Sequence, residues 1–247
     1  MSTVVAVVGQ HAGAIAADSS NYTIVAKKHG PQVAADVVFG AHPKLVTANG
    51  RAAGVAGVSH YNGVSFVNIV GEALAVAPTL EDVARTVLTL AGATLDAAYV
   101  QWLALGAHGG GVDLRPVSSF LEILVIGRDS RGTPTLLSLW AATPAASLTL
   151  VGDTFVAQDG NARVELAGMG TSLVRARTEQ HRRTIPFVKG PDYLPWIPTP
   201  DPGGATSCTV ACRSIVDAVI AADPRPAELW WPPNLPAVCA PVTTATI

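Results

Sequence analysis

A serine at position 2 and a carboxylate sixteen residues later, Asp18, frame the first stretch able to do chemistry, MSTVVAVVGQHAGAIAAD. A serine hydroxyl is a weak nucleophile unless a base takes its proton. A residue at a free N-terminus carries such a base in its own α-amine, which titrates near neutral pH. Ser2 is small enough for the initiator Met1 to be removed, leaving the amine beside Oγ. Two strand-like apolar runs, Thr3–Val8 and Ala12–Ala17, flank a turn containing Gly9, Gln10 and Gly13. The second run ends on Asp18, followed by Ser19 and Ser20. Most chain termini are frayed and polar. Here a buried strand is expected to begin directly after Ser2, which would give residue 2 a fixed place in the fold. The stretch has no basic segment before Lys27 and is broken by Gly9, Gln10, His11 and Gly13, so it is read as structure and not as a secretory leader.

A cation to accompany Asp18 has three candidates, Lys27, Lys28 and Lys44. Lys44 opens HPKLVTANGRAAGVAG, in which Asn49-Gly50 between two apolar runs predicts a tight hairpin. That hairpin would carry Lys44 on one arm and Gly57 on the other. Taken with the first eighteen residues, this arrangement resembles the proteasome β subunits and their bacterial HslV-like relatives in the N-terminal nucleophile hydrolase family. The likeness is close over roughly the first sixty residues and architectural beyond them. It implies a threonine-type endopeptidase in which Ser2 stands where the family has Thr. Asp18 and Lys44 would form the charged pair that activates the nucleophile, and the Gly57 N–H would form the oxyanion hole. It also implies a four-layer αββα sandwich of class α+β, two antiparallel sheets between helical layers, formed by residues 1–247 as one domain.

The sequence also departs from the family. The Gly-Ser-Gly whose hydroxyl supports the terminal amine aligns with Gly168-Met169-Gly170, and a thioether cannot take that hydroxyl's place. The later Asp-x-x-Ser-Gly has no counterpart, Asp223 being followed by Pro224, and the second of the paired glycines is Val58. Three functions follow. The first is peptide-bond hydrolysis inside a self-assembled homo-oligomeric ring, fed with peptide or unfolded protein and served by an unfoldase partner. The second is a stand-alone amidase acting on a small amide. The third is an inactive proteasome-like subunit kept for assembly.

The remaining pattern supplies the elements that would hold these residues. NYTIVAKK reads as a third strand and HGPQVAADVVFGAHP as a long connection to Lys44. From Val58 to Ala77 the spacing of Val64, Val67, Ile69, Val70, Ala73 and Leu74 predicts a helix. Thr79 to Asp82 resembles a capping box ahead of a second long helix reaching Gly106. Strands follow in SFLEILVIG, TPTLLSLWAA, SLTLVGDTFVAQ and ARVELAG, with a turn over Asp129–Gly132. A helix is expected from about Gly170, an irregular Pro-rich insertion around 185–205, a helix over Thr206–Ala222, and a last strand around Leu235–Val242.

Composition narrows the function classes. Of 247 residues, 49% are hydrophobic and 14% charged, enough apolar material for a large core. A net charge of -2 without a basic stripe argues against a nucleic-acid partner. No apolar run is long enough for a membrane span, and a cytoplasmic location is expected. Three cysteines, at 208, 212 and 239, suit a reducing compartment and not a disulfide framework. Neither they nor the histidines at 11, 29, 42, 60 and 181 show metal-ligand spacing, so no metal or other cofactor is expected. His108-Gly109-Gly110-Gly111 resembles an esterase oxyanion loop, but that fold also needs Gly-x-Ser-x-Gly, which does not occur.

Overall fold

In the computed structural model the described residues are 3–29, 32–41, 43–108, 120–142, 148–157, 162–168, 204–222 and 240–247. Ser2, Met169 and Gly170, the helix expected from Gly170, the Pro-rich stretch up to residue 203, and Asp223 lie outside them.

The first strand, β1 (Thr3–Val8), is buried at every position. Its sequence TVVAVV has no polar alternation, which is the pattern of a strand covered on both faces. It pairs antiparallel with β2 (Gly13–Ala17) through a tight turn closed by Gly9 N–H donating to Ala12 O. The same sheet holds β12 (Arg163–Gly168) and β13 (Thr243–Thr246), in the order β12-β1-β2-β13. A second sheet has the order β11-β10-β9-β6-β5. Its strands are β5 (Leu45–Ala48), β6 (Arg51–Gly57), β9 (Leu121–Arg128), β10 (Pro134–Ala142) and β11 (Thr149–Val156). Every strand pair in both sheets is antiparallel.

Three buried clusters define how the layers stack. Val5, Val7, Ala14 and Ala16 pack on Cys208, Cys212, Ile215 and Val219 of helix α3 (Ala205–Ala222). Val4, Ala6, Val8, Ile15 and Ala17 pack on Ala52, Ala56, Leu124 and Ile126 of the second sheet. The opposite face of that sheet, with Ala53, Val55, Ile123 and Val125, is covered by α1 (Phe66–Val76) and α2 (Val83–His108). The period-two alternation of side chains turns each strand residue to one interface or the other. The class is α+β, with helices on the outer faces of two antiparallel sheets. Fully burying an aliphatic side chain contributes about 1.5–3 kcal/mol. The four buried valines of β1 therefore anchor the start of the chain firmly.

Several expectations change. HGPQVAADVVFGAHP is no simple connection: β3 (Ser20–His29) pairs with β4 (Gln32–Ala41) as a hairpin with two ten-residue arms. The helix expected from Val58 starts at Phe66, with Ser65 accepting from the Asn68 N–H as its N-cap. The residues before it form a small hairpin, β7 (His60–Tyr61) and β8 (Val64–Ser65), turned by Asn62-Gly63 at positive φ. Thr79 and Asp82 do bond to each other, but α2 begins only at Val83. The strand expected around Leu235–Val242 lies mostly outside the described residues, and Thr243–Thr246 forms a described strand after it. Among the described residues no helix is long and apolar enough to cross a membrane.

Candidate active site

The β1–β2 register sets Asp18 opposite Thr3. Asp18 N–H donates to Thr3 O at 3.2 Å, as an antiparallel hydrogen-bonded pair requires. The Thr3 N–H goes instead to the Asp18 side chain, donating to Oδ1 at 2.7 Å. A carboxylate thus holds the first described amide of the chain, that of the residue bonded to Ser2.

Lys44 stands just before β5, in the other sheet. Its Nζ donates to the same Asp18 Oδ1 at 2.7 Å, and both side chains are buried, at 2% and 0% exposure. Thr3 is fully buried beside them. Taking two such ions out of water costs several kcal/mol each, and their attraction often does no more than offset it. A buried pair is therefore weak evidence for stability. Lys27 and Lys28, the competing cations, fall on β3 opposite Ala34 and Val33.

The two sheets can meet this closely because Gly54 of β6 faces β1. A Cβ there would sit 2.4 Å from Val4 Cγ1. Next to Gly54, Val55 N–H donates to Lys44 O at 3.0 Å, so Val55 turns its backbone groups to the β5 edge. Ladder alternation then turns Ala56 to β9 and Gly57 back to the β5 edge. The next residue agrees, since Val58 N–H donates to Phe120 O at 2.8 Å. Because Leu45 pairs with Gly54, β5 ends before it reaches Gly57. The Gly57 N–H therefore faces the edge that carries Lys44, about 7 Å along the strand from Val55. Gly57 has φ +91, where a side chain would be strained, and this turns the chain as it leaves β6.

Of the four residues singled out from the sequence, Asp18 and Lys44 are in contact, Gly57 ends the strand beside Lys44, and Ser2 lies outside the described residues. Two further groups join the region. One is the Thr3 amide. The other is Glu122 of β9, which pairs with Ala56 and accepts a hydrogen bond from the Gly168 N–H of β12. The signal for Glu122 was its place in LEILVIG: it shares the strand parity of Leu124 and Ile126, which face the other sheet.

No family model matches the chain, and no curated protein matches it. Among solved structures, BPH of Thiobacillus denitrificans in complex with epoxomicin is 16% identical over 99% of this chain and 97% of its own, with a TM-score of 0.41. The Anbu complex of Pseudomonas aeruginosa, solved as a helical assembly, is 15% identical over 99% of this chain and 80% of its own, with a TM-score of 0.49. Both TM-scores fall below one half.

Proposed function

We propose that the chain is an N-terminal nucleophile hydrolase of proteasome-like type, cleaving amide bonds through Ser2 after removal of Met1. The observation that carries this reading is the double grip of Asp18 Oδ1 on the Thr3 N–H and on Lys44 Nζ, in a buried place at the start of β1. It ties a cation to the amide bonded to residue 2. In this mechanism Ser2 Oγ attacks the substrate carbonyl carbon while the α-amine of Ser2 accepts the hydroxyl proton. The positive charge of Lys44, held by Asp18, favours the alkoxide that develops on Oγ. The carbonyl oxygen becomes an oxyanion and receives the Gly57 N–H, a type of contact worth about 3–4 kcal/mol for a single donor. Collapse breaks the C–N bond, and the α-ammonium returns its proton to the departing amine. Water then attacks the acyl-serine ester, again with the α-amine as base, and releases the acid.

The resemblance extends the proposal to a single domain spanning residues 1–247, to peptide or unfolded-protein substrates, and to a homo-oligomeric ring. The test is turnover of a fluorogenic peptidyl amide alongside a small acyl amide. Wild type should cleave the peptide, S2A should not, and T3A should retain a measurable rate. Cleavage of the small amide alone would make the chain a stand-alone amidase. No cleavage of either would contradict hydrolysis. A second reading, an inactive subunit, is favoured by the same ion pair acting as a clamp, since Asp18 and Lys44 join the two sheets.

A further inference from the structure

Glu122 is a charge where the strand pattern calls for an apolar residue. Leu121, Ile123 and Val125 of β9 pack on the helical layer, and Leu124 and Ile126 pack between the sheets. Glu122 has the parity of the second set, so its carboxylate enters the sheet–sheet interface at the end nearest Gly57. A half-buried carboxylate costs free energy unless it is hydrogen-bonded. It accepts the Gly168 N–H, which belongs to the opposite sheet. Gly168 is the last residue of β12 and lies opposite Thr3 in the β1–β12 register. Thr3 spends its backbone bond with Asp18 on the β2 side, so ladder alternation makes Thr3 and Gly168 a non-hydrogen-bonded pair. The Gly168 N–H therefore faces away from β1 and is met by a side chain from across the interface. One carboxylate, Asp18, fixes the start of β1 on its β2 side. A second, Glu122, holds the end of β12, the strand on the other side of β1.

We propose that Glu122 is a positioning residue of the candidate site, acting through the Gly168 N–H to hold the end of β12 beside the first residues of β1. This rests on the hydrolase reading above. Its demand on the side chain is specific: an acceptor at the reach of Glu, with the charge dispensable. E122Q keeps reach and acceptor, whereas E122D keeps the charge but is one methylene shorter. V125A, in the same strand but on the helical face, controls for loss of stability.

The readout is the rate at which a β-lactone acylates Ser2, measured by intact mass at a temperature where all variants are folded. E122Q is expected within threefold of wild type, E122D at least tenfold slower, and V125A at the wild-type rate. E122D reacting at the wild-type rate, E122Q slowed as much as E122D, or V125A slowed as much as E122D would each overturn the proposal while leaving the hydrolase reading intact. A wild-type protein that is never acylated would overturn both.

Discussion

Asp18 and Lys44 can be separated into structural and chemical roles by changing them singly and together. K44M leaves a buried carboxylate without its cation, and stability should fall by about 3–5 kcal/mol in denaturant titration. D18N/K44M removes both charges while Asn can still accept the Thr3 N–H. It should recover most of that loss, because an uncharged pair of similar volume has no ions to desolvate. Neither variant should hydrolyse amide substrates at a measurable rate. Recovered activity in the double variant would mean that the pair is only a clamp. Gly57 is a second point of control. G57A places a Cβ at φ +91 and should cost about 1–2 kcal/mol while displacing the N–H assigned to the oxyanion. The expected kinetic signature is a lower kcat with little change in KM, as for a contact made only in the transition state.

At the scale of elements, the hairpins and the sheet contact decide where those residues stand. G54A would drive a methyl into Val4 and should cost about 1–3 kcal/mol. Combined with V4A, the total loss should be smaller than the sum of the two single losses, because the added methyl fills space the valine vacates. The β9–β10 turn offers a pH test. Asp129 accepts the N–H groups of Thr133 and Arg131, and chiefly the Thr133 bond lowers its carboxyl pKa below the ordinary range. A lowered folded-state pKa contributes stability above the unfolded value, lost as pH falls through the folded one. The stability gap between wild type and D129N should therefore be widest near neutrality and close in acid, as measured by urea midpoints across pH. Local signals such as Asn49-Gly50 were legible because a two-residue turn carries its own geometry, with both residues at positive φ. Asn62-Gly63 is the same signal and was overrun by the apolar spacing that continues into α1. The β3–β4 hairpin was missed although the turn dipeptide Gly30-Pro31 separates its strands, because HGPQVAADVVFGAHP reads as one connection. The contact between Glu122 and Gly168 joins two sheets, and nothing local in either strand announces its partner.

At the scale of the whole molecule, the layering was an implication of the family resemblance, and β1 gives its physical reason. Six consecutive buried residues need cover on two faces, so the strand had to lie between two layers. Which helices supply the outer cover, and how the sheets are ordered, depends on long-range pairing that composition does not encode. The same layering explains Cys208 and Cys212. Both thiols are enclosed between α3 and β2, and Cys212 donates to Ala14 O. Burial, with a smaller contribution from neighbouring Cys208, pushes the Cys212 thiol well above its ordinary pKa, which keeps it out of the reactive thiolate form. Native protein should leave both thiols unmodified by iodoacetamide at pH 8, and denaturant should expose them. Their modification in the folded state would contradict the packing of α3 on the first sheet.

On the proposed mechanism the grip of Asp18 and Lys44 on the start of β1 serves a nucleophile at residue 2. The most direct measurement is the intact mass of the purified protein before and after incubation with a β-lactone, with the adduct located by peptide mapping. Loss of Met1 and a single adduct on Ser2, absent in K44M, is the predicted result. A retained Met1 with no adduct, or an adduct elsewhere that K44M does not abolish, would contradict it.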